Sequence, residues 1–341
     1  MDLSLALQNL HKICPTTKTL LPSLDKLPEI PQKLQSKLHS VIKNKQFETF
    51  LQNSSCKQEK ARVISCGGPV AGVWLDAIPS SQHYTMSSAQ FRTAVLMRLG
   101  VPLPQLSNIP RCTSSCNHEV DGEGYHFLTC KLGGGPIFRH DHILDEFYQM
   151  LCAVDLRCRK ELTSQFADKK RPDIAIYNYR DDKKLLLDIT ITHPCAVRNL
   201  PGSSNKAAFA ASEQENRKRA KYSKQAEDLG HLFRPIAIEV FGRWGQDAES
   251  TLSEASRMAH MCSQINSAQF KNLWHRRIST SLQKENVRII ENKVNTIISK
   301  KQKEPNAISR LGFSSRCFGL DFSYIVKSSK FLEQCSRTIL L

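Results

Sequence analysis

The sequence predicts an α/β fold, and three patterns between residues 136 and 245 predict it. Apolar residues alternate with polar ones in several short runs, as in strands that are buried on one face. A longer segment with helical spacing precedes these runs, and a second helical segment lies between the third run and the fourth. The predicted order is therefore α-β-β-β-α-β, and a unit of about 100 residues is a typical size for one compact domain.

Two adjacent strands form the centre of this unit. Ile174 and Ile176 share one face of the first strand, and Leu187, Ile189 and Ile191 share one face of the second. The segment between the two runs is polar, as is typical of a turn. We therefore predict an antiparallel hairpin.

Each arm of the hairpin carries an aspartate. If Arg180 and Asp181 form the middle of the turn, Asp173 lies directly opposite Asp188. Opposed residues have Cβ atoms roughly 4.5 to 5.5 Å apart, so both carboxylates could bind one Mg²⁺, which takes oxygen ligands at about 2.1 Å. A slip of one residue would move one aspartate to the other face. A Pro-Asp pair is also typical of an ordinary turn, and an aspartate at a strand edge also hinders aggregation.

The remaining elements follow from the same periodicity. A helix is predicted from about Phe138 to Ala153, a strand from Leu156 to Leu162, a long helix from about Lys206 to Leu229, and a last strand from Arg234 to Phe241. Upstream, a helix from Ser87 to Leu99 has a capping serine and a terminal glycine. The predicted divisions are 1–62 (helical), 63–110 (helical linker), 111–135 (cysteine-rich segment), 136–245 (α/β core), 246–303 (two helices) and 304–341 (a tail without a structural prediction).

The charge of the chain favours a polyanionic partner. Its 341 residues include 48 Lys and Arg against 32 Asp and Glu, a formal charge of +16. Nucleic acid is the expected partner, although excess positive charge can also serve solubility alone. The N-terminus lacks the pattern of a secretory signal, and no run of 18 apolar residues predicts a membrane span. We therefore expect an intracellular protein whose 12 cysteines are thiols and metal ligands rather than disulfides.

Three of the cysteines and one histidine have the spacing of a zinc site. Cys112, Cys116, His126 and Cys130 form two close pairs across a short loop. Tetrahedral Zn²⁺ takes Cys sulfur at about 2.3 Å and His nitrogen at about 2.0 Å, and a closed set of four ligands is typical of a structural site. His118 is an alternative fourth ligand. The other interpretation is a group of buried thiols beside a surface histidine.

Basic residues on the two core helices are candidate nucleic-acid contacts. Arg139 and His140 lie on the polar face of the first helix, and Arg217 and Lys224 lie on the second. A lysine on the second helix, beside two carboxylates, could orient attacking water or stabilise charge on a phosphate. A solvated basic face or a nuclear-localisation patch is the alternative for this segment.

These motifs together resemble the restriction-like endonuclease that follows the reverse transcriptase in some non-LTR retrotransposons, a module of the PD-(D/E)XK nuclease superfamily. The resemblance rests on Arg-Pro-Asp173 followed at a fixed distance by Asp188, on the preceding Cys-Cys-His-Cys cluster, and on the Arg139-His140 helix. It extends over roughly residues 60 to 290. It implies a retroelement-derived nuclear protein with a PD-(D/E)XK core, DNA as substrate, and a reverse transcriptase or element RNA as further partners.

The resemblance also implies Mg²⁺-dependent phosphodiester cleavage, with Asp173 and Asp188 as the metal ligands. The superfamily pattern places a lysine two residues after the second acid, but Thr190 occupies that position here. In the retrotransposon branch the lysine comes from the following helix, beside an aromatic residue. Lys221 with Tyr222 matches that arrangement, and Lys218 is the competing lysine.

The expected function is a metal-dependent DNA endonuclease. The alternative is a nuclease-fold protein that binds DNA without cutting it, because Thr190 replaces the usual lysine. A third class is a zinc-stabilised protein-interaction module. A DNA binder should lose affinity steeply as salt rises, whereas an interaction module need have no DNA affinity.

Overall fold

A computed structural model describes residues 3–21, 23, 25, 34–160, 171–263 and 265–303 of the chain. The chain divides into two compact units, one including the residues up to Ser55 and the other those from Cys56 onward to 303. The end of the predicted strand at 161–162 and the tail at 304–341 lie outside the described residues. The first unit contains helix α1 (Leu3–Ile13), a 3₁₀ turn (Pro15–Thr19) and helix α2 (Leu34–Asn53).

The second unit is a mixed α/β structure. Its helices are α3 (Lys57–Cys66), α4 (Ser88–Leu99), α5 (Tyr125–Thr129), α6 (Gly135–Cys152), α7 (Leu200–Ser203), α8 (Phe209–Asp228), α9 (Gln246–Ser263) and α10 (Ser267–Lys303), with a 3₁₀ turn at Pro104–Leu106. Its strands are β1 (Cys158–Lys160), β2 (Ile174–Arg180), β3 (Lys183–Thr192) and β4 (Leu232–Glu239). Among the described helices, none combines the length and the apolar character that a bilayer span requires.

The four strands form one sheet in the order β1-β2-β3-β4. Strands β1, β2 and β3 pair antiparallel, whereas β3 and β4 are parallel, so the connection between them crosses over through α7 and α8. The predicted α/β class is confirmed. Between α6 and β4 the elements follow the predicted order, with the short helix α7 added before α8.

The sheet is covered on both faces, and the alternation of its residues decides which side chain faces which helix. Ile174, Ile176 and Leu187 belong to a large core shared with α6, α9 and α10. Ala175 and Leu186 point the other way and pack against Tyr222 and Ala226 of α8. Because side chains alternate along a strand, Asp188 shares the α8 face with Leu186.

Helix α4 ends at the predicted residue and begins one residue later than predicted, with Ser87 as its N-cap. Ser87 Oγ accepts a hydrogen bond from the Gln90 N–H at 3.1 Å, and Gln90 Oε1 accepts one from the Ser87 N–H at 3.0 Å. This reciprocal pair satisfies two backbone donors that the first turn leaves without a partner. Gly100, at φ 68°, ends the helix in the left-handed region that favours glycine.

A buried carboxyl group joins α8 to the far side of the sheet. Glu215 Oε1 accepts hydrogen bonds from the backbone N–H of Ala237 in β4 and of Asp247 in α9. Burial, followed by the nearby charge of Asp247, raises the pKa of Glu215 to about 7. The folded protein therefore holds this proton more tightly than the unfolded chain, in which a glutamic acid has a pKa of about 4.3.

The raised pKa of Glu215 predicts that this group costs the folded state stability as the pH rises from about 4.5 through about 7. Glu215→Gln keeps the acceptor oxygen without the charge. We expect it to raise the free energy of unfolding at pH 8 by about 1–3 kcal/mol and to have much less effect at pH 5. Thermal unfolding at the two pH values measures this, with Glu213→Gln, at an exposed position of the same helix, as the control. An equal effect of Glu215→Gln at both values would contradict the assignment.

Candidate active site and metal cluster

The hairpin register brings the two predicted aspartates together. Ile174 pairs with Leu187 across β2 and β3, and the Asp173 N–H donates to the Leu187 carbonyl at 2.9 Å. Extended by one residue, this register places Asp173 opposite Asp188. Both side chains are half-buried, at the end of the hairpin away from the turn.

The predicted turn position was wrong, although the register near the aspartates agrees with the prediction. Arg180 pairs with Lys183, so the turn consists of Asp181 and Asp182, at φ 50° and 57°. Two positive φ values are typical of the tight turns that suit the twist of a hairpin. A bulge in β2 at Asn178 shifts the pairing before it reaches the site.

Asp173 is held by a backbone donor and by a histidine. Its Oδ2 accepts a hydrogen bond from the Ile189 N–H at 2.6 Å and lies 3.2 Å from His140 Nε2. The other ring nitrogen of His140 lies 3.0 Å from Asp141 Oδ1. Burial would lower the pKa of His140, but the two carboxylates outweigh burial and raise it to about 9. His140 is therefore a cation paired with Asp173.

Asp188 has a lysine as its counter-charge. Lys218 Nζ of α8 lies 2.8 Å from Asp188 Oδ2. This distance makes the contact an ion pair. Its angle is unfavourable for a hydrogen bond, and Asp188 Oδ2 accepts no other hydrogen bond from the described residues. Burial and the charge of Asp173 raise the pKa of Asp188, and Lys218 opposes them without cancelling the rise. This oxygen is therefore buried beside a cation.

The two candidate lysines of α8 differ in their surroundings. Lys221 is exposed, and its Nζ lies 4.8 Å from the centroid of the Tyr222 ring. Lys218 Nζ lies 5.7 Å from the same ring while contacting Asp188. Tyr222 itself is only 2% exposed and packs in the core beneath the sheet, with its ring centroid 5.6 Å from that of Phe233. Lys218 is therefore the lysine that the fold brings to the carboxylates.

The aspartates open into a cleft of about 580 Å³. Thr190 lies in its wall, at the position where the superfamily pattern has a lysine. Arg217 lines the cleft with an exposed side chain, whereas Lys224 lies farther along α8 and is exposed. The other lining residues are Lys131, Pro136, Ile137, Arg139, His140, Asp173, Asp188, Ile189, Ile191, Gln214 and Lys218.

No protein-family model matches this chain, and no curated protein matches it at a significant level. The family resemblance is therefore carried by the motifs quoted above alone. It stays a prediction.

Arg139 has a different environment from the one predicted. It is 3% exposed, and its Nη1 donates to Asn286 Oδ1 of α10 at 2.8 Å while Nη2 donates to the Leu128 carbonyl at 3.1 Å. Burial lowers the pKa of Arg139 to about 10. Asn286 Nδ2 in turn donates to the Val240 carbonyl at 2.8 Å. This placement favours a role in joining α6, α10 and the end of β4 over contact with a phosphate.

The four predicted soft ligands form one cluster. The Sγ atoms of Cys112, Cys116 and Cys130 and a ring nitrogen of His126 all lie within 4.8 Å of one another. Cys112 Sγ lies 4.0 Å from Cys130 Sγ, and Cys116 Sγ lies 3.5 Å from His126 Nε2. A tetrahedral ion with bonds of about 2.3 Å separates its ligands by roughly 3.8 Å. The cluster can hold a metal ion such as zinc.

The fourth ligand position belongs to His126 rather than to His118. The His118 ring stacks on the His126 ring, with centroids 4.4 Å apart. Asp121 holds the backbone at this point, because its two carboxylate oxygens accept hydrogen bonds from the N–H groups of Tyr125 at 2.6 Å and His126 at 2.8 Å. The stacked ring and the capped backbone together fix the orientation of His126.

A lysine that the sequence analysis did not identify contacts the cluster. Lys293 of α10 donates from Nζ to Cys130 Sγ at 3.2 Å. Burial would raise the pKa of Cys130, but Lys293 and a backbone donor outweigh burial and lower it. Thiolates are the form that binds zinc, so Lys293 favours the metal-binding state of Cys130. No local motif marks this contact, since Lys293 lies in a different helix far along the chain.

The cluster predicts that the isolated protein contains about one equivalent of zinc. Cys116→Ser should lose the metal and lower the melting temperature by on the order of 10 °C, because a structural site contributes several kcal/mol to folding. Elemental analysis and thermal unfolding measure the two effects. Cys152→Ser, at an exposed thiol outside the cluster, is the control and should change neither. Full zinc content in Cys116→Ser would contradict the assignment.

Proposed function

We propose that this protein is a metal-dependent DNA endonuclease that hydrolyses phosphodiester bonds. The observation that carries the proposal is the pair of opposed aspartates, Asp173 just before β2 and Asp188 in β3, with Lys218 Nζ 2.8 Å from the second of them. Two carboxylates and a lysine at one end of a sheet are the groups that nuclease chemistry needs. The order α6-β1-β2-β3-α8-β4 supports a PD-(D/E)XK core.

The donor set fits a divalent cation such as Mg²⁺, which prefers carboxylate oxygens and water. Asp173 and Asp188 would hold it, and the buried Asp188 Oδ2, which makes no hydrogen bond of favourable angle with the described residues, supports this assignment. When bound, such an ion neutralises the charge that develops on the phosphate and lowers the pKa of water. The Ile189 N–H fixes the orientation of the Asp173 carboxylate through its bond of 2.6 Å.

Lys218 is assigned the cationic role beside the scissile phosphate. Its ammonium group, already at the carboxylates, can orient a water molecule or stabilise a phosphate oxygen. The adjacent Arg217 lines the same cleft and is positioned to bind a neighbouring phosphate. Lys224, exposed on the same helix, extends this basic surface. The net charge of +16 favours DNA binding that weakens as salt rises.

The zinc cluster is assigned a structural role. Its last ligand, Cys130, lies five residues before the start of α6 at Gly135, and α6 carries His140 into the site. A metal bound there would fix the start of α6 relative to the sheet. The retrotransposon resemblance extends the proposal to a nuclear protein that acts with a reverse transcriptase or element RNA.

The second candidate is a DNA-binding protein of the same fold without catalysis. The specific observation that favours it is Thr190, which lines the cleft in place of the lysine of the superfamily pattern. In this case Lys218 would only neutralise Asp188. The two candidates share DNA binding and differ in cleavage.

Nicking of supercoiled plasmid in Mg²⁺ separates the candidates. We expect the wild-type protein to nick the plasmid and Asp188→Ala to lose this activity. Lys218→Ala should slow nicking by about 10²- to 10⁴-fold, because a positioned proton donor or acceptor contributes a factor of this size. Lys221→Ala, which changes an exposed lysine one turn away, should slow it by less than about threefold.

DNA binding and thermal unfolding of each variant are the controls, since a loss of fold would abolish both activities. Binding without nicking in the wild-type protein would support the second candidate. A large effect of Lys221→Ala with none of Lys218→Ala would show that the lysine assignment is wrong.

A further inference from the structure

The first turn of α6 exposes two large apolar side chains, and one of them, Ile137, lines the cleft of the candidate active site. Ile137 is 64% exposed and Phe138 is 57% exposed. Ile137 and Pro136 line the cleft that contains both aspartates. A large exposed apolar side chain that lines a charged cleft, with a second one next to it in the chain, is typical of a surface that a ligand covers.

The backbone holds this turn in place. The Phe138 N–H donates to the Gly134 carbonyl at 3.0 Å, and Gly134 has φ 69°. The Phe138 ring lies so close over Gly134 that a Cβ on the glycine would be 3.2 Å from it. A Cβ on Gly135 would be 3.0 Å from Ile289 of α10. The apolar pair is therefore presented on a supported helix start.

The charges around the cleft identify the partner chemistry. Lys131, Arg217 and Lys218 line the same cleft as Ile137. A ligand that satisfies both features has anionic groups at regular intervals and flat apolar faces between them. Nucleic acid has this combination, whereas an apolar peptide or a neutral small molecule lacks the anionic groups. Proteins that distort DNA insert apolar side chains between bases in the same way.

We propose that Ile137 and Phe138 contact an unstacked base next to the phosphate that a cation at Asp173 and Asp188 would hold, so that the preferred substrate is DNA with unpaired bases. This inference rests on the proposed function and names its substrate class. Contact between a base and an apolar or aromatic side chain strengthens binding by roughly tenfold or more per base. In fully paired DNA the base must first leave its stack, and this cost reduces affinity.

The test compares two labelled DNAs by fluorescence anisotropy, with Ca²⁺ in place of Mg²⁺ to suppress cleavage. One is a short paired duplex, and the other is the same duplex with a central unpaired bubble. We expect wild-type protein to bind the bubble about tenfold more tightly. The double variant Ile137→Ser/Phe138→Ser should reduce this preference to less than about twofold while keeping its affinity for the paired duplex, which depends on phosphate contacts.

Met261→Ser/Leu273→Ser is the matched control, because it removes two exposed apolar side chains from α9 and α10, at 81% and 47% exposure. It should keep the wild-type preference for the bubble. Thermal unfolding confirms that both double variants are folded.

Equal binding of both DNAs by the wild-type protein would overturn the inference and leave the nuclease proposal in place. So would an unchanged preference for the bubble in the Ile137→Ser/Phe138→Ser variant, which would show that the apolar pair does not contact the unpaired bases. A similar loss of affinity for both DNAs would show a general contact rather than recognition of an unstacked base. Absence of any DNA binding by the wild-type protein would overturn the inference and the proposed function together.

Discussion

The structure around the cleft depends on one electrostatic constraint, the proximity of two carboxylates on neighbouring strands. The β2–β3 register places Asp173 opposite Asp188 in a half-buried position, where like charges repel and burial disfavours ionisation. Each carboxylate has its own cation, His140 from α6 and Lys218 from α8. These helices pack on opposite faces of the sheet, so the counter-charges also fix both layers relative to the hairpin. A divalent cation bound between the two carboxylates would offset the same repulsion.

Burial separates functional from structural polar residues around the cleft. Arg139 and Glu215 are both buried ionisable groups with neighbours from other elements, and each makes hydrogen bonds that join two parts of the fold. Neither side chain is presented to solvent. Contact with a large polyanion requires an exposed cationic side chain. Arg217 lies on the same helix as Glu215 but is exposed at the cleft. Arg217, and not Arg139, is therefore the arginine that a polyanion such as the proposed DNA could reach.

Local patterns in the sequence predict much of this arrangement. The alternating runs and the two helical segments of residues 136–245 predict the α/β class. A turn centred on Arg180 and Asp181 predicts the pairing of Asp173 with Asp188. The turn lies one residue later, and the bulge in β2 offsets this difference, so the pairing at the aspartates agrees. The spacing of the cysteines and His126 predicts a cluster that the fold brings together. These features depend on neighbours in the chain.

Lys218 and Lys221 lie on the same side of α8, so only the packing of that helix decides which one reaches Asp188. The burial of Arg139 depends on Asn286, far along the chain, which no local pattern identifies.

The central claim is that Asp173 and Asp188 together form one divalent-cation site, and titration with Mn²⁺ tests it without requiring catalysis. Calorimetry on the zinc-loaded protein should show binding that Asp173→Asn and Asp188→Asn each abolish, with zinc content unchanged. Each substitution keeps the size of the side chain and removes its charge. Mn²⁺ binding of undiminished affinity in either variant would contradict the shared site and leave the two carboxylates as paired structural charges.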